Sequence, residues 1–248
     1  MKKVLKSILK RGGYKIEKIQ PVVAADPAKG DTMYNGLVRL RSLGLTPASI
    51  VDVGAAAGTW TEEAAHVWPD AAFLLFEPLE ERKEVLTTLQ TSSKNKIFLA
   101  FAAAGEEEAE VTFHVSDDLD GSGIATDAAA TAEGRPVKLT SIDRQIGVNS
   151  LKPPYAIKLD THGFEVPIIE GSTETIKNTL FFIIECYGFQ IAPGSLLFWE
   201  MCQLMSTKGF RLFDIVDTMR RPGDKAFWQC DAFFIRNDHP LYANNRYR

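Results

Sequence analysis

The stretch "IVDVGAAAGTW", residues 50–60, opens as a run of apolar residues and closes on a turn broken by glycine. Ile50, Val51 and Val53 suit a buried strand, and Gly54 and Gly58 let the backbone bend tightly before a helical pattern begins at Thr59. A strand that feeds a helix through such a turn offers free N–H groups to a bound nucleotide. Spacing separates the candidates. A phosphate-binding P-loop needs a lysine after its second glycine, and Thr59 follows Gly58. A dinucleotide fingerprint anchored at Gly54 needs glycines at 56 and 59, where the chain has Ala56 and Thr59. What remains is an acid, Asp52, two residues before Gly54, and a second glycine four after it.

Outward from this turn the chain alternates. "TMYNGLVRLRSLGL" before it repeats Met33, Leu37 and Leu40 at helical spacing until Gly44 and Pro47 stop it. After it come "TWTEEAAHVW" as a helix, "AAFLLFEP" as a strand, "LEERKEVLTTLQ" as a helix and "KIFLAFAAA" as a third strand. The alternation resumes with a strand over 155–160, a helix over 164–177, a strand over 180–186 and a helix over 195–207. "FRLFDIVD" and "CDAFFIRN" then form a closing antiparallel pair. Between the two runs, "AEVTFHV" and "RPVKLTSID" read as an inserted β-hairpin around 105–139, spanned by a long Gly-, Ser- and Asp-rich loop. These patterns predict one α/β domain, residues 31–248, with a seven-stranded, mostly parallel sheet and helices on both faces.

Composition bounds the rest. Of 248 residues, 45% are hydrophobic and 24% charged, ordinary for a globular protein with a sizeable core. Cys186, Cys202 and Cys230 form no CxxC pair, which fits a reducing, cytoplasmic setting. No run of 18 apolar residues occurs, so no spanning helix is expected. A net charge of -4 argues against nucleic acid as a partner. Residues 1–20 differ, with seven Lys/Arg against the single Glu17, a net of +6 that leaves -10 for the remainder. In "KKVLKSILKR" the apolar Val4, Leu5, Ile8 and Leu9 share one helical face. Residues 1–30 therefore read as a basic helical extension and linker. The pattern allows weak contact with a membrane surface, although a packed or frayed helix is the simpler expectation.

The second telling stretch is "AIKLDTHGFEVPIIEGS", residues 156–172, where a buried strand gives way to Asp160, Thr161, His162, Gly163 and Glu165. Open α/β sheets keep their ligands at such strand ends. Taken together, "IVDVGAAAGTW", "FEP", "LTSID", "IKLDTHGFEVPIIEGS" and "FIIE" occur in an order that resembles the FkbM family of methyltransferases, from about Asp31 to Arg236. The resemblance implies the class I methyltransferase fold, S-adenosylmethionine as cofactor, and transfer to a hydroxyl of a carbohydrate, glycolipid or natural product. It also implies that Asp52, Gly54, Ala55, Gly58 and Thr59 hold the methionine end, Glu77 the ribose and Ala102 the adenine. Asp160, Gly163 and Glu165 match the family's D-x-x-G-x-E segment, whereas His162 stands where the family often has Gln or Glu.

O-methylation needs a hydroxyl freed of its proton, by a base or by a metal that lowers its pKa. Asp160, His162 and Glu185 are the candidate suppliers, with Glu165 orienting the loop. Each has a plainer role available. Asp160 could cap the following helix, His162 could be an ordinary loop residue, and Glu165 could sit in the favourable first turn of a helix. With two acids in view and an all-oxygen site needing more ligands, a metal-free mechanism is expected. Rival readings are an NAD-dependent oxidoreductase, which the glycine spacing disfavours, and a degenerate fold serving as a binding module. Acceptor loops at 117–135 and 187–196 carry no recognisable code for the small molecule or glycan they would meet.

Overall fold

The computed structural model describes residues 31–125 and 134–247. The basic segment 1–30 and any membrane contact through it lie outside the described residues, as does part of the loop at 117–135. Seven strands form the main sheet: β1 (Ser49–Val53), β2 (Ala72–Phe76), β3 (Ile97–Ala100), β8 (Tyr155–Leu159), β9 (Thr179–Tyr187), β10 (Phe210–Arg220) and β11 (Phe227–Arg236). Their order is β10-β11-β9-β8-β1-β2-β3, with β11 antiparallel to both neighbours and the pairs from β9 to β3 parallel. The predicted seven-stranded, mostly parallel sheet is therefore present, closed by the predicted antiparallel pair.

Alternation along each strand divides the core into two layers. On one face Val51, Leu74, Ile157, Phe182 and Phe234 pack with Ile142 and Ile146 of α4 (Ile142–Val148), Ile168 and Ile169 of α5 (Glu165–Glu170) and Met201 and Met205 of α7 (Phe198–Thr207). On the other, Ile50, Phe73, Ala156, Phe181 and Phe233 meet Leu37 and Leu40 of α1 (Met33–Ser42), Ala64 of α2 (Thr59–Val67) and Leu86 and Leu89 of α3 (Lys83–Ser92). No helix among the described residues is long and apolar enough to cross a membrane.

Two elements depart from the sequence reading, each for a local reason. The strand expected through "KIFLAFAAA" breaks after Ala100, where the Ala102 N–H turns back to the Ala100 carbonyl at 2.8 Å. The chain then enters a second sheet of order β4-β7-β5-β6, built from β4 (Ala103–Ala104), β5 (Ala109–His114), β6 (Gly123–Ile124) and β7 (Arg135–Thr140). The expected hairpin is the β5–β7 pair of this four-stranded sheet, whose own core is Leu79, Ala103, Phe113, Val137 and Leu139. The helix expected over 164–177 splits into α5 and α6 (Thr173–Ile176). At the break, Gly171 lies so close to the loop after β4 that an added Cβ would sit 2.0 Å from the Gly105 carbonyl oxygen.

Gly171→Ala is thus expected to cost about 1–3 kcal/mol as overpacking. Gly147→Ala in α4, where an added Cβ meets nothing within 4 Å, provides the comparison. Thermal melts of the two variants check this, and equal Tm values would show that the contact is slack.

Candidate active site

The carboxyl ends of the parallel strands open into a cavity of about 250 Å³. It lies where β1 and β8 neighbour each other and the chain's crossovers change direction, the usual ligand crevice of an open sheet. Val53 ends β1 and Gly54 and Ala56 follow it, Phe76 ends β2 and Glu77 through Leu79 follow it, and Ala102 through Ala104 come after β3. Asp160, Thr161 and His162 follow β8, and Glu185 projects from β9. The small sheet roofs the cavity with Phe113, Leu119, Ser122, Gly123 and Ile124. Ion pairs link the roof to the segment after β2, Arg82 to Asp120 at 2.5 Å and Arg135 to Glu81 at 2.6 Å.

Glu77 is buried, and both its oxygens accept backbone bonds, Oε2 from Ala56 at 2.8 Å and Oε1 from Leu79 at 2.9 Å. Burial raises its carboxyl pKa, and those two N–H groups oppose the rise. The N–H groups of Gly54 and Ala55 both donate to the Phe76 carbonyl at 3.1 Å, and that of Gly58 to Ala55 at 2.7 Å. The glycine loop therefore uses four of its expected anion donors, counting Ala56, to hold itself in place. Gly54 has a second constraint: at φ +78° an added Cβ would lie 2.0 Å from the Asp160 carbonyl oxygen. The glycine is required because the ends of β1 and β8 touch.

Several predicted residues stand behind the cavity wall. Asp52 is fully buried, its Oδ2 accepting from Thr61 Oγ1 at 2.6 Å and its Oδ1 lying 3.8 Å from Lys158 Nζ. Ala55 is buried, and Gly58 caps the start of α2 against Leu89. Thr59 borders a second, open cavity of about 280 Å³ on the α1 side, with Trp60, Glu63, Lys158, Asp160, Asp217 and Asp231. Glu165 is 4% exposed; its Oε1 accepts from Thr161 Oγ1 at 3.1 Å and from the Gly163 N–H at 3.0 Å, so it ties down the loop that carries His162. Burial raises its pKa, with the Gly163 N–H opposing. Asp160 does not cap α5, which starts without a side-chain cap.

Asp160, His162 and Glu185 do converge. His162 Nε2 is 3.6 Å from Glu185 Oε2 and 3.8 Å from Asp160 Oδ1. The ring is held by Nδ1, which lies 3.3 Å from the Ser122 carbonyl in the roof. Glu185 accepts from Gln229 Nε2 at 2.6 Å and from the Tyr187 hydroxyl. Burial, followed by the charge of Asp160, pushes its carboxyl up to about 8.

The residue missed by sequence reasoning is Lys158, only 4% exposed, whose Nζ donates to Asp160 Oδ2 at 2.9 Å. Burial alone would raise the Asp160 pKa and lower that of Lys158. Their mutual attraction, with Asp52 beside them, outweighs this, so the carboxyl is held low and the ammonium high. The signal was present in the sequence: Lys158, flanked by Ile157 and Leu159 in the buried apolar strand Tyr155–Leu159, needs an acidic partner inside the fold.

A parallel sheet with one reversed strand near its edge, and a ligand crevice over β1, β2 and β8, defines the class I methyltransferase fold. The chain belongs to the FkbM methyltransferase family, whose domain model matches residues 52–212. That membership sets aside the oxidoreductase reading. No curated protein sequence matches the chain. Among solved structures it is similar to a putative O-methyltransferase from Klebsiella pneumoniae, at 12% identity and TM-score 0.49, over 94% of this chain and 90% of that one. It is also similar to a precorrin-6y C5,15-methyltransferase from Geobacter metallireducens GS-15, at 12% identity and TM-score 0.45, over 88% and 100%. Likenesses this remote carry no weight for the substrate.

Lys158→Met should destabilise the protein by up to about 3–5 kcal/mol, because it leaves the fully buried Asp52 and the partly exposed Asp160 without their cation. Lys158→Arg should lose less. Urea unfolding reads both, and a Lys158→Met protein of wild-type stability would mean that the two acids are not held by this ammonium.

Proposed function

We propose that this protein transfers a methyl group from S-adenosylmethionine to a hydroxyl oxygen of a carbohydrate, glycolipid or related natural product. The observation that carries the reading is that one cavity joins Glu77 and the apolar wall at Ala102 to the Asp160–His162–Glu185 cluster. The residues present fit the donor. Glu77 is an acid with accepting capacity left for ribose hydroxyls. Phe76, Leu79 and Ala102 through Ala104 offer an apolar slot for a flat base. Gly54 and Ala56 line the end nearest Asp160. When bound, the donor supplies an electrophilic methyl group on a cationic sulfur.

The chain's own groups do the rest. The acceptor hydroxyl must lie near the cluster, oriented for in-line approach, and must lose its proton. Asp160 is the group held ionised by Lys158, and its Oδ1 faces His162, so these two are the proton acceptors in this reading. Glu185, pushed up to about 8, is largely protonated at neutral pH and serves as a hydrogen-bond donor. Glu165 positions the loop. The acceptor would enter between the roof residues Leu119 through Ile124 and Glu185. The remaining rival, a degenerate fold kept as a binding module, predicts no turnover.

Two variants test the donor and acceptor halves separately. Glu77→Ala should weaken donor binding by roughly 1.5–3 kcal/mol, about tenfold or more. Because Glu77 also holds two backbone N–H groups, its melting temperature is measured alongside calorimetry with S-adenosylmethionine. Unchanged affinity in a folded variant would remove Glu77 from the donor site. Asp160→Asn should lower kcat by roughly 10²–10⁴ against an accepted glycoside and leave donor affinity near wild type. Full turnover by this variant would exclude Asp160 from the proton's path. Mass spectrometry of the purified chain should find retained donor or its demethylated product.

A further inference from the structure

We propose that Asp160, His162 and Glu185 form a binding site for a divalent first-row cation, with one nitrogen and two oxygen ligands and open positions toward the cavity. The sequence offered two acids, too few for an all-oxygen site; the fold adds an imidazole. One ligand atom from each residue lies within 4.8 Å of the other two. The two imidazole-to-carboxylate separations are 3.6 and 3.8 Å. Ligand atoms around a tetrahedral ion with bonds of about 2.1 Å sit roughly 3.4 Å apart, so the two edges to the imidazole need to close by only a few tenths of an ångström.

The outer contacts point the same way. A carbonyl oxygen only accepts, so the contact of His162 Nδ1 with Ser122 places the proton on Nδ1. Nε2 then faces two carboxyl groups, and a cation between them would take the place of the proton that Glu185 otherwise holds. Metal-bound histidines are typically held in this manner, by a second bond from the far ring nitrogen to a carbonyl. The carboxylates are steadied from outside too. Lys158 binds the far oxygen of Asp160 and Gln229 the far oxygen of Glu185, so Asp160 Oδ1 faces the gap, while Glu185 Oε2 accepts the Tyr187 hydroxyl and keeps a second lone pair for an ion. Left-handed φ at His162 (+52°) brings its ring over β8 and β9 together. Imidazole with carboxylates suits Mn²⁺, Fe²⁺ or Zn²⁺ better than Mg²⁺ or Ca²⁺.

The purpose of such an ion follows from the methyl-transfer reading and rests on it. With the ion bound, the ligating atoms of Asp160 and His162 no longer serve as the base; an acceptor hydroxyl in an open position would instead be oriented and made more acidic by the ion, its proton passing to water at the cavity mouth. The site itself is tested without turnover. The full chain, stripped with a chelator, is titrated with MnCl₂, and free Mn²⁺ is read by electron paramagnetic resonance. Saturable binding of one ion per chain is expected, displaced by Zn²⁺. His162→Asn, which tolerates the left-handed backbone, and Glu185→Gln should each weaken binding tenfold or more. Far-ultraviolet circular dichroism establishes that each variant is folded. The absence of saturable Mn²⁺ and Zn²⁺ binding by the wild type would overturn the site, as would binding that a folded His162→Asn variant leaves unchanged. A chain that binds the ion here but never binds S-adenosylmethionine would overturn the functional reading and leave the cation site standing.

Discussion

The Lys158 ammonium, buried between Asp160 at 2.9 Å and Asp52 at 3.8 Å, is the contact on which the rest of the site depends. Burying a charge in a sheet interior is costly unless partners offset it. Here the partners come from two neighbouring strands, and Asp52 reaches on to Thr61 in α2. One buried charge cluster therefore registers β1, β8 and α2 against each other. The touching of Gly54 on Asp160 is the steric counterpart of that registration, since two loops so joined leave no room for a side chain. The functional consequence is a carboxylate held ionised and fixed in direction at the cavity wall, with its other oxygen free to face His162.

Scaffold and roof are stabilised differently. The floor of the cavity belongs to the two-layer core, where Phe182, Phe233 and their neighbours are fully buried on both faces of the sheet. Among the described residues the roof has a core of five buried side chains, supplemented by ion pairs such as Arg82–Asp120. Half-exposed ion pairs contribute little each. The roof is accordingly the less firmly held half of the cavity, and His162 bridges to it through Ser122. A site that must admit an acceptor and release a product benefits from that asymmetry, because local opening draws on the elements with the fewest buried apolar contacts.

Much of this was legible in the sequence for a physical reason. Strand and helix periods are local properties, so "IVDVG", "FLLF" and "FFIIEC" announced buried parallel strands without knowledge of their neighbours. Glycine spacing excluded two nucleotide loops. The acids Asp160 and Glu185 stood at the ends of two predicted strands, and adjacency of those strands then brought them together. Even the loop-ordering role of Glu165 could be anticipated, since it depends on residues two and four positions away.

What the sequence left undecided depends on distance across the fold. No local pattern says that the N–H groups of Gly54 and Ala55 are taken by Phe76, or that Asp52 faces a lysine on another strand instead of a ligand. Residues 102–104 read as the end of a strand, and only the turn at Ala102 sends them into a second sheet above the site. The sequence by itself determined the sheet, its layers and the types of side chain at the strand ends. Tertiary structure alone decided which of those side chains reach the cavity and which are spent holding it together, because burial and charge pairing are settled by neighbours that lie far apart along the chain.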